Sequence, residues 1–336
     1  MENSSSEETA NTSYDYYYFD YEVCDKTNLA RFESIAVPLV FSFVVLFSLV
    51  GNILVLVFLS RSWHSQMYWL LCNLAISDLI FTAGLPFWSC QFIWSWTFGD
   101  VMCKGVSFVF SVGFYSSIVI LMMISFWHFL CFFYVSIPLL PKYREASTFL
   151  PWVISIALAV PALFQSSVVS HPDDPNTLYC VYNSSEAILA ATYQQNSLFV
   201  VAFLLIGFCN LIIFKKLNPR ETFDDVRKYR SLRLIACIVM VFFIGWAPYN
   251  IMIFLKSLGY FINCDMSVNL DYAFCVGIML AYSHCCLNPV LYAFNDVKFQ
   301  YNLRKILQFS SNRRSHQQCS RSGSSGVNTL QQNSTD

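Results

Sequence analysis

The sequence predicts an all-α membrane protein, a seven-transmembrane helix bundle with a short amphipathic inner helix. Three observations carry that expectation. The 336 residues are 56% hydrophobic and only 12% charged, a balance that asks for a membrane as solvent. The apolar residues gather into seven runs, near 35–60, 68–93, 104–134, 148–168, 188–214, 232–256 and 271–294. Each reaches the roughly 20 residues that a helix needs to cross a bilayer. Finally, the loops alternate in charge: Lys26, Arg31, Lys104 and Lys256 fall with the chain start and the even loops, while the other 16 of the 20 basic residues fall on the opposite side. Acids run the other way, with 14 of 21 on the first side. Lys and Arg favour the cytosolic face, so the amino terminus is expected outside and the tail inside, in a plasma membrane.

Residues 1–34 form an acidic arm in which Tyr14, Tyr16, Tyr17, Tyr18 and Tyr21 stand among Asp15, Asp20 and Glu22. The arm lacks the basic start and short apolar core of a cleavable signal, so the first span is expected to act as its own anchor. Inside the spans, Asn52, Asp78 and Asn288 are polar groups in a medium that penalises them, with Ser117 as a fourth. Two readings stand: hydrogen-bonded glue between helices, or a polar core joining spans one, two and seven that rearranges with protonation or with a sodium ion near Asp78. The loop at 215–233 is short and holds seven basic residues, which suits a cytosolic partner or anionic lipid, or simply sets orientation. Residues 35–309 thus make the bundle, ending in an amphipathic stretch at 299–309 laid on the inner leaflet. The tail at 310–336 is too polar to pack; its serines are candidates for phosphorylation, and Cys319 for palmitate.

Most of the thirteen cysteines lie within apolar runs, where they act as small hydrophobes. Cys24, Cys103, Cys180 and Cys264 instead fall on the oxidising side, and sequence leaves all three pairings open. The sequons at Asn3, Asn11 and Asn183 are on the predicted outside, in agreement with the charge-based topology, and a fourth at Asn333 is expected to stay bare.

Five ordered motifs now carry a resemblance. Gly51-Asn52, Leu74-Ala75-x-x-Asp78, Trp152, Trp246-x-Pro248 and Asn288-Pro289-x-x-Tyr292 resemble the rhodopsin-like G-protein-coupled receptors over about 30–300. Within that class, Leu85-Pro86-Phe87-Trp88, Trp96-Thr97-Phe98-Gly99 and the run 283–289 (Ser-His-Cys-Cys-Leu-Asn-Pro) resemble the chemokine receptors, nearest the XC type, with a virus-encoded homologue in a host cell membrane left open. The resemblance implies the pairs Cys103–Cys180 and Cys24–Cys264, sulfation of the arm's tyrosines, and a basic chemokine-like protein as ligand. It also implies a pocket lined by Trp88, Phe110, Tyr249 and Ile278, set against the plain alternative of a packed aromatic core. Trp246 and Tyr292 would be switch residues, and a heterotrimeric G protein, probed first as the Gi type, the inner partner. Many chemokine receptors have an acid where Ile278 falls. Phe110 stands where aminergic receptors need an acid, and Tyr282 where an opsin has its lysine.

The main departure is at the inner end of span three, where Trp127-His128-Phe129 replaces Asp-Arg-Tyr. On span five Asn210 replaces a tyrosine, and the usual proline is missing. Loss of the resting-state ion pair implies raised basal signalling; loss of the arginine itself implies a non-signalling scavenger. The sequence favours the first, because the basic third loop and the switch residues remain. His128 reads as packing at the membrane edge, and His284-Cys285-Cys286 as packing and not a metal site. Nothing supports a transporter, an enzyme or a nucleic-acid partner.

Overall fold

The computed structural model describes residues 25–59, 66–133, 141–170, 176–216, 223–258, 264–295, 299–305 and 308. In chain order the elements are α1 (Thr27–Leu59), α2 (Gln66–Trp94), α3 (Gly99–Phe133), α4 (Pro141–Gln165), β1 (Ser166–Ser170), β2 (Leu178–Tyr182), α5 (Ser185–Lys216), α6 (Phe223–Ser257), α7 (Cys264–Tyr282) and α8 (His284–Asn295). Among the described residues, seven helices are long and apolar enough to cross a membrane, α1 to α7. Each agrees with a run read from the sequence. Residues 299–305 are helical as well, within the expected inner amphipathic stretch.

The helix α1 begins ahead of its apolar run because its first turn is capped. The Asp25 carboxylate accepts from the Thr27 amide at 3.0 Å and from the Thr27 hydroxyl, and these donors hold Asp25 below the usual carboxylate range. The outer flank of α1, with Leu39, Phe43, Leu46, Phe47 and Val50, is exposed and apolar, as a surface solvated by lipid must be. By contrast α2 and α3 are the inner helices, and Ile118, Ile120 and Leu121 sit at or near zero exposure.

Two close approaches explain why glycine occupies its place. A Cβ on Gly51 would lie 2.7 Å from the Pro289 ring, so α1 and α8 touch at Gly51. A Cβ on Gly113 would lie 2.5 Å from the Phe81 backbone nitrogen, which seats α3 against α2. Elsewhere side chains link the helices: Trp152 donates from Nε1 to the Asn73 amide oxygen at 2.9 Å, tying α4 to α2.

The seventh crossing is two helices. The Ser283 amide donates to the carbonyls of both Met279 and Leu280, and the Ser283 hydroxyl donates to Met279, tightening the turn between α7 and α8. The fourth apolar run, expected to stay helical to 168, leaves the helix at Gln165. Its last residues pair as β1, antiparallel to β2, with Val168 opposite Cys180. The helix yields because the hairpin is anchored at both edges. Asp100 accepts from the Val168 amide at 3.1 Å, Gln91 accepts from the Cys180 amide at 2.8 Å, and the Trp96 amide donates to Leu178 at 2.7 Å.

Candidate functional site: polar core and outer aromatic cluster

The buried polar groups meet. Asp78 is fully buried and accepts from Asn288 Nδ2 at 2.7 Å on one oxygen and from the Ser117 hydroxyl at 3.4 Å on the other. Asn52 joins less directly. Its Nδ2 donates to the Cys285 carbonyl at 2.9 Å and to Ser48, whose hydroxyl lies 2.6 Å from Thr82; Thr82 in turn donates to the Asp78 carbonyl at 2.6 Å. Ser77 adds a second strand of bonds to Ser116, Ser117 and the Gly113 carbonyl. The network therefore spans α1, α2, α3 and α8, the spans on which the sequence reading placed Asn52, Asp78, Ser117 and Asn288.

A further member was assigned only to packing by the sequence. His284 is buried, and its Nδ1 lies 2.7 Å from the Ala281 carbonyl, which can only accept. With Nδ1 as the donor, the neutral ring turns a bare Nε2 toward Asp78 Oδ1, 3.9 Å away. Asp78, Ser117 and His284 thus bring two oxygens and a nitrogen to one small region, which is where the sequence reading places a sodium ion. Such an ion would supply the positive charge that compensates the buried carboxylate. Among the described residues no group of three or more His, Cys, Asp or Glu is arranged for a metal ion.

Above this core the rings form a continuous cluster. Trp88 contacts Phe110 at 5.9 Å, Phe110 contacts Tyr282 at 5.1 Å, and Tyr282 contacts Tyr249 at 6.4 Å, with Ile278 packed on the same core. Trp246 sits below, 4.3 Å from Phe114 and 5.4 Å from His284, so the indole bridges the aromatic cluster and the polar core. Over the mouth lies the hairpin, held by a disulfide from Cys103 to Cys180 with a Cα separation of 5.5 Å. Cys264 is also disulfide-bonded. Cys24, Tyr14, Tyr16, Tyr17, Tyr18, Tyr21, Asn3 and Asn11 lie outside the described residues. Asn183 is exposed, directly after β2.

Residues 51–292 match the family described as 7 transmembrane receptor (rhodopsin family). Chemokine XC receptor 1 of Homo sapiens is 32% identical over 317 residues, covering 92% of this chain and 91% of the relative. The chain belongs to the chemokine receptors of the rhodopsin family. Atypical chemokine receptor 2 of Mus musculus is 32% identical over 316 residues, 89% of this chain and 82% of the relative. CX3C chemokine receptor 1 of Oryctolagus cuniculus is 31% identical over 299 residues, 85% and 81%. This is a family of receptors and not of enzymes.

At the carboxyl-terminal end of α3, the residues expected to depart from the family pattern are packed among rings. Trp127 is buried and His128 and Phe129 are half-buried on α3. Phe129 packs on Phe133 at 4.8 Å and on Phe208 of α5 at 6.5 Å, and Lys216 Nζ stands 4.7 Å over the Phe133 ring. An aromatic seam between α3 and α5 therefore occupies the site. Tyr292 is buried and packs on Phe299, the first described residue of the helical stretch at 299–305, which also meets Phe58 of α1.

Proposed function

We propose that this receptor captures a basic chemokine with its acidic, tyrosine-rich outer arm and passes the signal to a heterotrimeric G protein of the Gi type, with raised activity in the absence of ligand. The observation that carries the reading is Trp246, packed between the outer ring cluster and the Asp78–Asn288–Ser117 core. A ligand that displaces the cluster acts on Trp246, and Trp246 acts on a core whose bonds join four helices. The bundle thus has two arrangements to choose between, and a ligand shifts the choice only by its differential affinity.

Raised basal activity follows from the inner end of α3. Asp-Arg-Tyr is absent at 127–129, so the resting form lacks a charge-assisted bond worth about 1–3 kcal/mol. The arm supplies capture: acids with sulfated tyrosines attract a cationic protein and speed its encounter. Sulfation, glycans at Asn3, Asn11 and Asn183, the outward amino terminus and arrestin binding to the phosphorylated tail belong to the same proposal. A second reading, a decoy that binds chemokine without signalling, is favoured by the missing arginine and by the likeness to an atypical chemokine receptor.

The test is a chemokine panel on intact cells expressing the receptor, with second messenger read with and without ligand. Binding together with messenger above mock-transfected cells supports the proposal. Binding with messenger at the mock level throughout selects the decoy, and no binding to any chemokine overturns both.

A further inference from the structure

Four charged side chains meet at the outer ends of three helices. Lys26, directly before α1, places Nζ 3.0 Å from Asp271 of α7, and Lys256 of α6 places its own 2.6 Å from the other oxygen of the same carboxylate. Glu33, on α1, interacts electrostatically with all three. Lys26 is 8% exposed, an unusual burial for a lysine and one that needs its partner. The cluster lies apart from the polar core and was not legible in the sequence.

Its connections run both ways. Outward, Lys26 is two residues from Cys24, at the root of the arm. Inward, Lys256 Nζ stands 4.1 Å over the Phe274 ring, Phe274 stacks on Tyr249 at 5.6 Å, and Tyr249 meets Trp246 at 5.7 Å. An unbroken line of contacts thus leads from the base of the arm to the indole at the centre of the bundle. Asp271 is the anion that both ammonium groups contact directly, with Glu33 acting on them at longer range. Without that carboxylate the two ammonium groups lose their shared contact and keep only the more distant Glu33, and the end of α6 loses its tie to the arm.

We propose that Asp271 is a positioning residue that seats the root of the arm on α6 and α7 and couples load on the arm to Trp246. The inference rests on the receptor reading for its purpose, but its physical content does not need a ligand. Removing the charge frees both the start of α1 and the outer end of α6, whereas cutting only the Lys26 bond frees α1 and leaves α6 held by Lys256.

Hydrogen exchange on the full chain in lipid nanodiscs separates these outcomes. For Asp271→Asn, amides at 27–36 and 252–258 should exchange about tenfold faster than in the wild type, and Trp246 fluorescence should shift. Asp271→Glu should restore slow exchange at both places. Lys26→Gln, a milder change that leaves Lys256 on Asp271, should speed 27–36 alone. Unchanged exchange at 252–258 in Asp271→Asn, or equal effects at both places in Lys26→Gln, overturns the coupling. Should the wild type give no second messenger, the receptor reading fails while these exchange results still decide the role of Asp271.

Discussion

Asn288 donates a hydrogen bond from Nδ2 to the fully buried Asp78 carboxyl group, which joins the polar bonding of α2, α3 and α8. Replacing Asp78 by Ala strands the Asn288 donor, which costs about 1–3 kcal/mol, while the Ser117 hydroxyl keeps the Gly113 carbonyl and Ser77 as partners. The expected result is a clear fall in melting temperature of the purified receptor. At Gly51 the argument is steric: a methyl group would enter the space of the Pro289 ring, so Gly51→Ala should destabilise by about 1–3 kcal/mol and part α1 from α8. Thermal melting checks this too, and an unchanged midpoint would show that α8 moves aside freely. The polar residues were legible because hydrocarbon makes each one conspicuous. His284 was not, because its role depends on the Ala281 carbonyl, which selects which ring nitrogen faces Asp78.

At the scale of elements, hydropathy located all seven crossings but not the hairpin. Val168 and Val169 continue an apolar run, and nothing local separates a fourth helix turn from a strand. What decides is distant: Asp100, Gln91 and Cys103 hold the edges of the hairpin. The disulfide, buried at both half-cystines, should accordingly matter for stability. Cys180→Ser is expected to cost about 2–5 kcal/mol and to abolish chemokine capture, measured by melting and by binding on cells. The clustering at the inner end of α3 makes a further prediction. Introducing Asp-Arg-Tyr at 127–129 should lower ligand-independent second messenger several-fold. It should also reduce thermal stability, because Trp127 and Phe129 leave their apolar contacts. A variant with unchanged basal messenger would show that the aromatic seam already restrains α3 as an ion pair would.

Across the whole molecule, the division of charge between the two faces predicts how ligand arrives. Four of 20 basic residues share the proposed outer side with 14 of 21 acids. Among the four, the structure pairs Lys26 and Lys256 with Asp271, and Lys104 with Asp100, so little positive charge is left to repel a cationic protein. Raising ionic strength from about 0.05 to 0.5 M shortens the screening length to a few ångströms and should weaken chemokine binding at least about tenfold, with slower association. Tyr-to-Phe replacement at Tyr14, Tyr16, Tyr17, Tyr18 and Tyr21 together should weaken it as well and flatten that salt dependence. The most direct measurement of the account as a whole is nucleotide exchange on a purified Gi heterotrimer by the receptor in nanodiscs without ligand. The account predicts exchange several-fold faster than with empty nanodiscs and faster still with bound chemokine. Exchange at the empty-disc rate in both conditions would contradict it.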